Sequence, residues 1–342
     1  MRFSLSFLAL AAVALLSSAG MSSSAAEPGL QLAKAVPLGG PDKWDYLTYD
    51  QNAHRLYVVH GSEVTVLDGQ TDEVVGHVTG LTGAHGVALV PDVDRGYVTN
   101  NGHVSVFNLR TLTVVQDIAT DAGADAIAYD PASRRVFSIN GKAENASVID
   151  PTNGTILTTI PLDGKPEFVT VDGRGKLFVN IESTREIVRI NTTTMQVDAR
   201  WSIADCLDPH GLSIDAASRR LFASCVNAKM VVVDAENGQV IATLPIGIGS
   251  DAVVFDPVRM QALSSNGEGS LSIIGEQDES HFVAQETVVT APGARTMATD
   301  YSDGQVFLIT ADPDPETQAA GQRRRFIPGT VKLLIFERQQ KP

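Results

Sequence analysis

The chain has 342 residues, 43 % of them hydrophobic, and a formal net charge of −14. That size suits one large globular domain or two ordinary ones. The acidic balance repels phosphate backbones and argues against a nucleic-acid partner, and an aromatic content of 6 % argues against stacking platforms for bases or sugars.

Residues 1–26 have the organisation of a secretory signal. Arg2 supplies the positive end, Phe3 to Leu16 a short apolar run, and Ser24-Ala25-Ala26 a small-residue cleavage site before Glu27. The run is too short to span a bilayer comfortably, and no later stretch is long and apolar enough to do so. The expectation is an exported protein, periplasmic or secreted, whose mature part, 27–342, is one domain without a membrane span.

From residue 45 the chain repeats itself. The residues that open successive repeats are Asp45, His85, Asp125, Glu167, His210, Asp251 and Arg295, spaced by 40, 40, 42, 43, 41 and 44. Each is followed by an alternating run such as Gly86-Val87-Ala88-Leu89-Val90 or Ala126-Ile127-Ala128-Tyr129-Asp130. Period two predicts a strand. One face carries large residues (Leu47, Val87, Ile127, Val169, Leu212), and the other mostly small ones (Gly86, Ala88, Ala126, Gly211, Ser213). Large and small faces of neighbouring sheets can interdigitate. A turn follows, often Asp-Pro, as at Asp130-Pro131 and Asp256-Pro257. A second strand follows of the type Arg95-Gly96-Tyr97-Val98-Thr99-Asn100, then a β-branched third strand such as Met230-Val231-Val232-Val233. A turn rich in Asp, Asn, Gly and Thr leads to a fourth, such as Val240-Ile241-Ala242-Thr243-Leu244. No segment beyond the signal has helical periodicity.

Four strands in a repeat of about 40 residues is the signature of a β-propeller blade. The seventh repeat reaches only its third strand, Val331 to Phe336, before the chain ends. At the other end Val36-Pro37-Leu38-Gly39 matches Ile160-Pro161-Leu162 and Leu244-Pro245-Ile246-Gly247, which close earlier repeats. The prediction is therefore an all-β, seven-bladed β-propeller of four-stranded antiparallel blades. An N-terminal strand would complete blade seven, so that no long sheet edge stays exposed.

Tyr97-Val98-Thr99-Asn100 and its variants resemble the repeat of the YVTN family of seven-bladed β-propellers, the YncE-like proteins. The resemblance covers about residues 32 to 338. It implies the propeller fold and an exported or surface location. Related seven-bladed propellers include lactonases, lyases and copper enzymes, so the fold leaves the activity open.

In a propeller the first strand of each blade lines the central channel and starts at one mouth, to which the end of the second strand returns. The opening residues then form a ring at that mouth, six of the seven being acid or histidine. The residues expected beside them are His60, Asn100, Asn140, Cys225, Asn266 and Thr310, with Asn180 or Ile181 in blade four. Blades one to three offer Asp45, His60, His85 and Asp125. Blades four to six offer Glu167, His210 and Asp251. Imidazole with carboxylate suits a divalent metal such as Zn, Mn, Fe or Cu. It also suits acid–base work, with His85 and His210 as the catalytic candidates. Arg295 breaks the acidic ring and is suited to a substrate carboxylate or phosphate. Asp45, Asp125, Glu167, Asp251, Arg295, Asn100 and Asn140 are the expected ligand-binding set. A ring of polar side chains that merely solvates the mouth is the alternative.

Two further features belong to this mouth. The connection from Ala311 to Thr330 is long for a compact repeat and carries Arg323-Arg324-Arg325, which suits a lid or a mobile insertion. Cys206 and Cys225 both map there, and in an exported protein they are expected to form a disulfide, with free thiols or a thiolate metal ligand as alternatives. Three functions remain in view: a binding propeller for a small ligand, metal or protein partner; a metal-dependent enzyme of lactonase or lyase type, or a copper oxidoreductase; and a structural interaction scaffold.

Overall fold

A computed structural model describes residues 29–41, 43–317 and 324–339. The signal-like segment lies outside them. The described chain forms seven four-stranded antiparallel sheets, each strand pairing with the next in sequence. Blade one comprises Trp44–Asp50, Arg55–His60, Glu63–Asp68 and Val74–Val78. The inner strands of blades two to six are Ala84–Val90, Ala124–Asp130, Pro166–Val171, Pro209–Asp215 and Ser250–Asp256. Blade seven runs from Met297–Thr299 through Val306–Thr310 and Lys332–Arg338 to the N-terminal strand Leu30–Pro37. Val36 stands opposite Leu333, so the two ends of the chain close the ring as the matching Val-Pro-Leu motif predicts. Among the described residues the helices are two single 3-10 turns, Pro91–Val93 and Pro315–Thr317, and none is long and apolar enough to cross a membrane.

Local chemistry explains the turns. Asp130, Asp215, Asp256 and Asp300 end the inner strands, and each carboxylate accepts hydrogen bonds from backbone N–H groups two or three residues on. These side chains satisfy donors that the reversing chain would leave open. An aromatic wedge on the second strand then fills each inter-blade space in six of the seven blades. Tyr57, Tyr97, Phe137, Phe178, Phe222 and Phe307 are each at most 1 % exposed, and Leu263 takes this place in blade six. Each such burial stabilises the fold by about 1.5–3 kcal/mol.

The small face predicted for the inner strands is used where neighbouring blades approach at the channel. A Cβ added to Gly211 would lie 2.5 Å from the backbone nitrogen of Val253, and one added to Gly86 would lie 3.0 Å from the Asp125 carbonyl oxygen. Only glycine lets the inner strands come this close at these two positions.

Candidate metal centre at the channel mouth

Six of the seven ring residues occupy β-bulges. Trp44 pairs with His60 and Leu47 with Val58, so the inner strand carries one residue more than its partner between these pairs. The same irregularity falls between Ala84 and Val87, Ala124 and Ile127, Pro166 and Val169, Pro209 and Leu212, and Ser250 and Ala252. A bulge leaves its extra residue out of the ladder and re-aims its side chain. Asp45, His85, Asp125, Glu167, His210 and Asp251 all fall in these intervals. Their placement at the mouth is thus a repeated backbone device.

The bulges gather two triads of half-buried side chains. In Asp45–His85–Asp125, and again in Glu167–His210–Asp251, one ligand atom from each residue lies within 4.8 Å of the other two. His85 Nδ1 is 2.7 Å from Asp45 Oδ2 and 3.6 Å from Asp125 Oδ1. His210 Nε2 is 4.0 Å from Asp251 Oδ1. His210 Nδ1 is 2.9 Å from the Asp208 carbonyl oxygen, which can only accept. In the neutral ring this bond selects the Nδ1–H tautomer, which turns the Nε2 lone pair toward the triad, as metal-ligating histidines are usually arranged. The chain around Asp208 is braced. Cys206 and Cys225 form a disulfide, both buried, and Val226 N–H donates to the Leu207 carbonyl at 2.9 Å.

The two triads face one cup. Tyr46 of blade one and Phe168 of blade four come from opposite sides of the ring, and their rings meet edge-to-face at 5.1 Å between centroids. They floor the mouth. Burial raises the Tyr46 hydroxyl well above its usual range, and Asp125, Asp45, Glu167 and Asp251 all push it further. One hydroxyl thus feels carboxylates from both triads. Burial and the charge of Asp45 push Asp125 up to about 7, against the opposing pull of His85, with Glu167 and Asp251 adding to the rise. Burial also raises Glu167, opposed by His210 and Lys165, and Asp251, opposed by Arg295 and His210. The hydrogen bond to Asp45 raises His85. Carboxylates held this close favour an added positive charge, whether a proton or a cation.

Three expected site residues lie elsewhere. His60, Asn100 and Asn140 are at most 1 % exposed and are turned into their own blades, away from the mouth. His60 Nε2 is 2.7 Å from Thr65 Oγ1 and 3.3 Å from Glu63 Oε1. Asn100 accepts a hydrogen bond from the Thr82 N–H at 2.8 Å and donates to Ser105 Oγ at 3.2 Å. Asn140 donates to Asn145 Oδ1 and Ser147 Oγ at 2.7 and 2.9 Å. The bulge is the physical reason. Each pairs with the residue just before the ring position, so its side chain has the opposite parity and ties the second strand to the third. His60 is therefore no co-ligand of the first triad.

The structure also adds residues that the ring alone does not reveal. Polar side chains of one blade hold the main chain of a ring residue in the next. Thr296 Oγ1 donates to the Asp45 carbonyl at 2.7 Å and Asn180 Nδ2 to the His210 carbonyl at 2.8 Å. Thr99 does the same for Asp125, and Ser265 for Arg295. Lys165 Nζ lies 3.4 Å from Glu167, and Arg295 Nε 2.8 Å from Asp251. The base of the insertion also reaches this mouth. Pro313 bridges Phe326, whose ring packs edge-on against Trp44 at 4.8 Å, one residue before Asp45. Arg323 lies outside the described residues.

A seven-bladed propeller with an acid/histidine ring at one mouth is the class that fold and site define. Within that class the chain belongs to the family described as a domain of unknown function, DUF5074, which matches residues 52–246. It is also similar to the uncharacterised protein YncE of Salmonella typhimurium, at 28 % identity over 176 residues, covering 50 % of this chain and 48 % of the relative. YncE of Salmonella typhi matches at 27 % identity over the same coverage. The chain thus spans about half the length of the curated relatives it matches. Among solved structures, a chain of Kuenenia stuttgartiensis hydrazine synthase superposes with a TM-score of 0.68 at 16 % identity. That match covers 80 % of this chain and 92 % of that one, and it is a likeness of fold alone.

Proposed function

We propose that the protein is an exported binding propeller that holds a divalent transition metal at the channel mouth and, through it, a small ligand. The observation that carries this reading is the pair of carboxylate–imidazole–carboxylate triads, whose carboxylates from both sides act on the single Tyr46 hydroxyl. Two carboxylates and one imidazole form a donor set that suits Mn, Fe or Zn. The crowding that drives Asp125 up to about 7 is the electrostatic signature of a site short of one positive charge. A bound cation would supply that charge and an open position for a ligand oxygen. The chain's own residues do the rest. The Asp208 carbonyl favours the His210 tautomer that turns the Nε2 lone pair toward the triad, cross-blade bonds fix the ring main chain, and the Tyr46–Phe168 pair packs beneath the triads. Export is supported by the signal-like residues 1–26 together with the buried disulfide.

The test is elemental analysis of protein purified without chelator, comparing the native chain with a His85→Ala/His210→Ala double variant. A near-stoichiometric transition metal in the native protein, lost from a variant that keeps its β-sheet circular dichroism, is expected. Absence of metal from both would overturn the reading.

A further inference from the structure

The triads share a donor set and differ in their surroundings. Among the described residues, Asp45 and Asp125 have no lysine or arginine within ion-pair distance, and their only cationic partner is His85. Glu167 and Asp251 already have Lys165 at 3.4 Å and Arg295 at 2.8 Å. A cation on the second triad would face these two fixed positive charges at close range, which would repel it. A cation on the first would meet only carboxylates and one neutralisable imidazole.

Arg295 and Lys165 are not used up by these contacts. Arg295 Nε lies 2.8 Å from Asp251 Oδ2, its terminal nitrogens donate no hydrogen bond to a described residue, and its side chain is 44 % exposed. Lys165, 49 % exposed, is shared between Glu167 and Glu182. In the closed ring Arg295 stands between Asp251 and Asp45, and Thr296 beside it donates to the Asp45 carbonyl. A guanidinium paired with the second triad is thus carried by the blade that adjoins Asp45 in the ring.

We infer that the mouth is polarised, with the cation on Asp45, His85 and Asp125 and an anionic group of the ligand, a carboxylate or phosphate, bridging from that cation to Arg295, with Lys165 on the far side of the cup. This deepens the metal reading and rests on it. The order of binding follows from charge. An anion alone meets four carboxylates and is repelled. Once the cation is in place, the anion completes its coordination and takes up the terminal nitrogens of Arg295. Anion binding is therefore metal-dependent.

The test uses the full chain loaded with Co2+, whose visible absorption reports its coordination, titrated separately with inorganic phosphate and with acetate. The native protein should change its spectrum with at least one anion, and isothermal titration of the metal-free protein should show no binding of either. Arg295→Gln should weaken the response about tenfold, the loss of one charge-assisted pair, while Co2+ affinity stays the same or rises. Lys165→Gln, at an exposed position that poses little risk to folding, should weaken it less. Anion responses in both variants equal to the native one, or equal anion binding with and without Co2+, would overturn the inference and leave the metal reading standing. Failure of the native protein to bind Co2+ would overturn both.

Discussion

The two halves of the mouth each set two carboxylates about one histidine and reach different electrostatic states. Blades one to three place Asp45 and Asp125 about a single histidine and supply no permanent cation among the described residues. Blades four to six place Glu167 and Asp251 about His210, with Lys165 before blade four and Arg295 of blade seven as added cations. A repeat fold generates near-identical positions, and single substitutions at them are enough to set polarity. Arginine in the seventh ring position and lysine two residues before the fourth convert one side of an acidic ring into a balanced one. The second half is also the braced half, because the disulfide and the Asp208 carbonyl lie beside His210.

The largest effect expected from breaking this comparison is on stability. The Cys206–Cys225 disulfide joins positions 19 residues apart, and a Cys206→Ser/Cys225→Ser variant should lose about 3 kcal/mol in urea unfolding. Because the brace lies beside the second triad, Co2+ affinity of the variant under native conditions should change little. Gly211→Ala should cost about 1–3 kcal/mol or more, since its methyl would meet the Val253 backbone at 2.5 Å, and Gly86→Ala should cost less, having 3.0 Å to its nearest atom. The two melting curves measure how tightly each half of the channel is packed. Thr99→Val removes the hydroxyl that holds the Asp125 carbonyl and should cost about 1 kcal/mol.

A pH experiment sharpens the comparison at the first triad. The Asp125 carboxyl has a folded-state value of about 7, above its ordinary range near 3.8, so the folded chain binds this proton more tightly than the unfolded chain. That contribution is fully present below about pH 4 and is lost as pH rises through about 7. In chelator-treated protein, Asp125→Asn should therefore raise the melting temperature most at pH 8, less at pH 5, and leave it nearly unchanged only below about pH 4. Equal shifts at both pH values would show that Asp125 does not carry the excess charge.

The fold was legible because its signal is redundant. Seven copies of an alternating run at nearly constant spacing specify inner strands, and the Val36-Pro37-Leu38 match specifies how the ring closes. The ring of Asp45, His85, Asp125, Glu167, His210, Asp251 and Arg295 was legible for the same reason. The bulge at six of the seven ring positions was not, because an extra residue in a strand leaves no mark on a period-two pattern that begins after it. That hidden shift turned His60, Asn100 and Asn140 into their blades. The cross-blade ties had a readable signal that spacing alone did not weigh. Thr99, Asn180 and Ser265 are polar one residue before the end of second strands where Val59 and Ile139 are apolar. Lys165 escaped notice because it reaches Glu167 from outside the ring positions.

The polarity of the mouth is tested most directly by measuring Mn2+ or Zn2+ affinity for two single variants, Asp45→Asn and Glu167→Gln, beside the native protein. Asymmetry predicts one tight ion per chain in the native protein, a loss of about 100-fold or more in Asp45→Asn, and a change within about threefold in Glu167→Gln. Equal losses in the two variants, or two equivalent ions per chain, would contradict it.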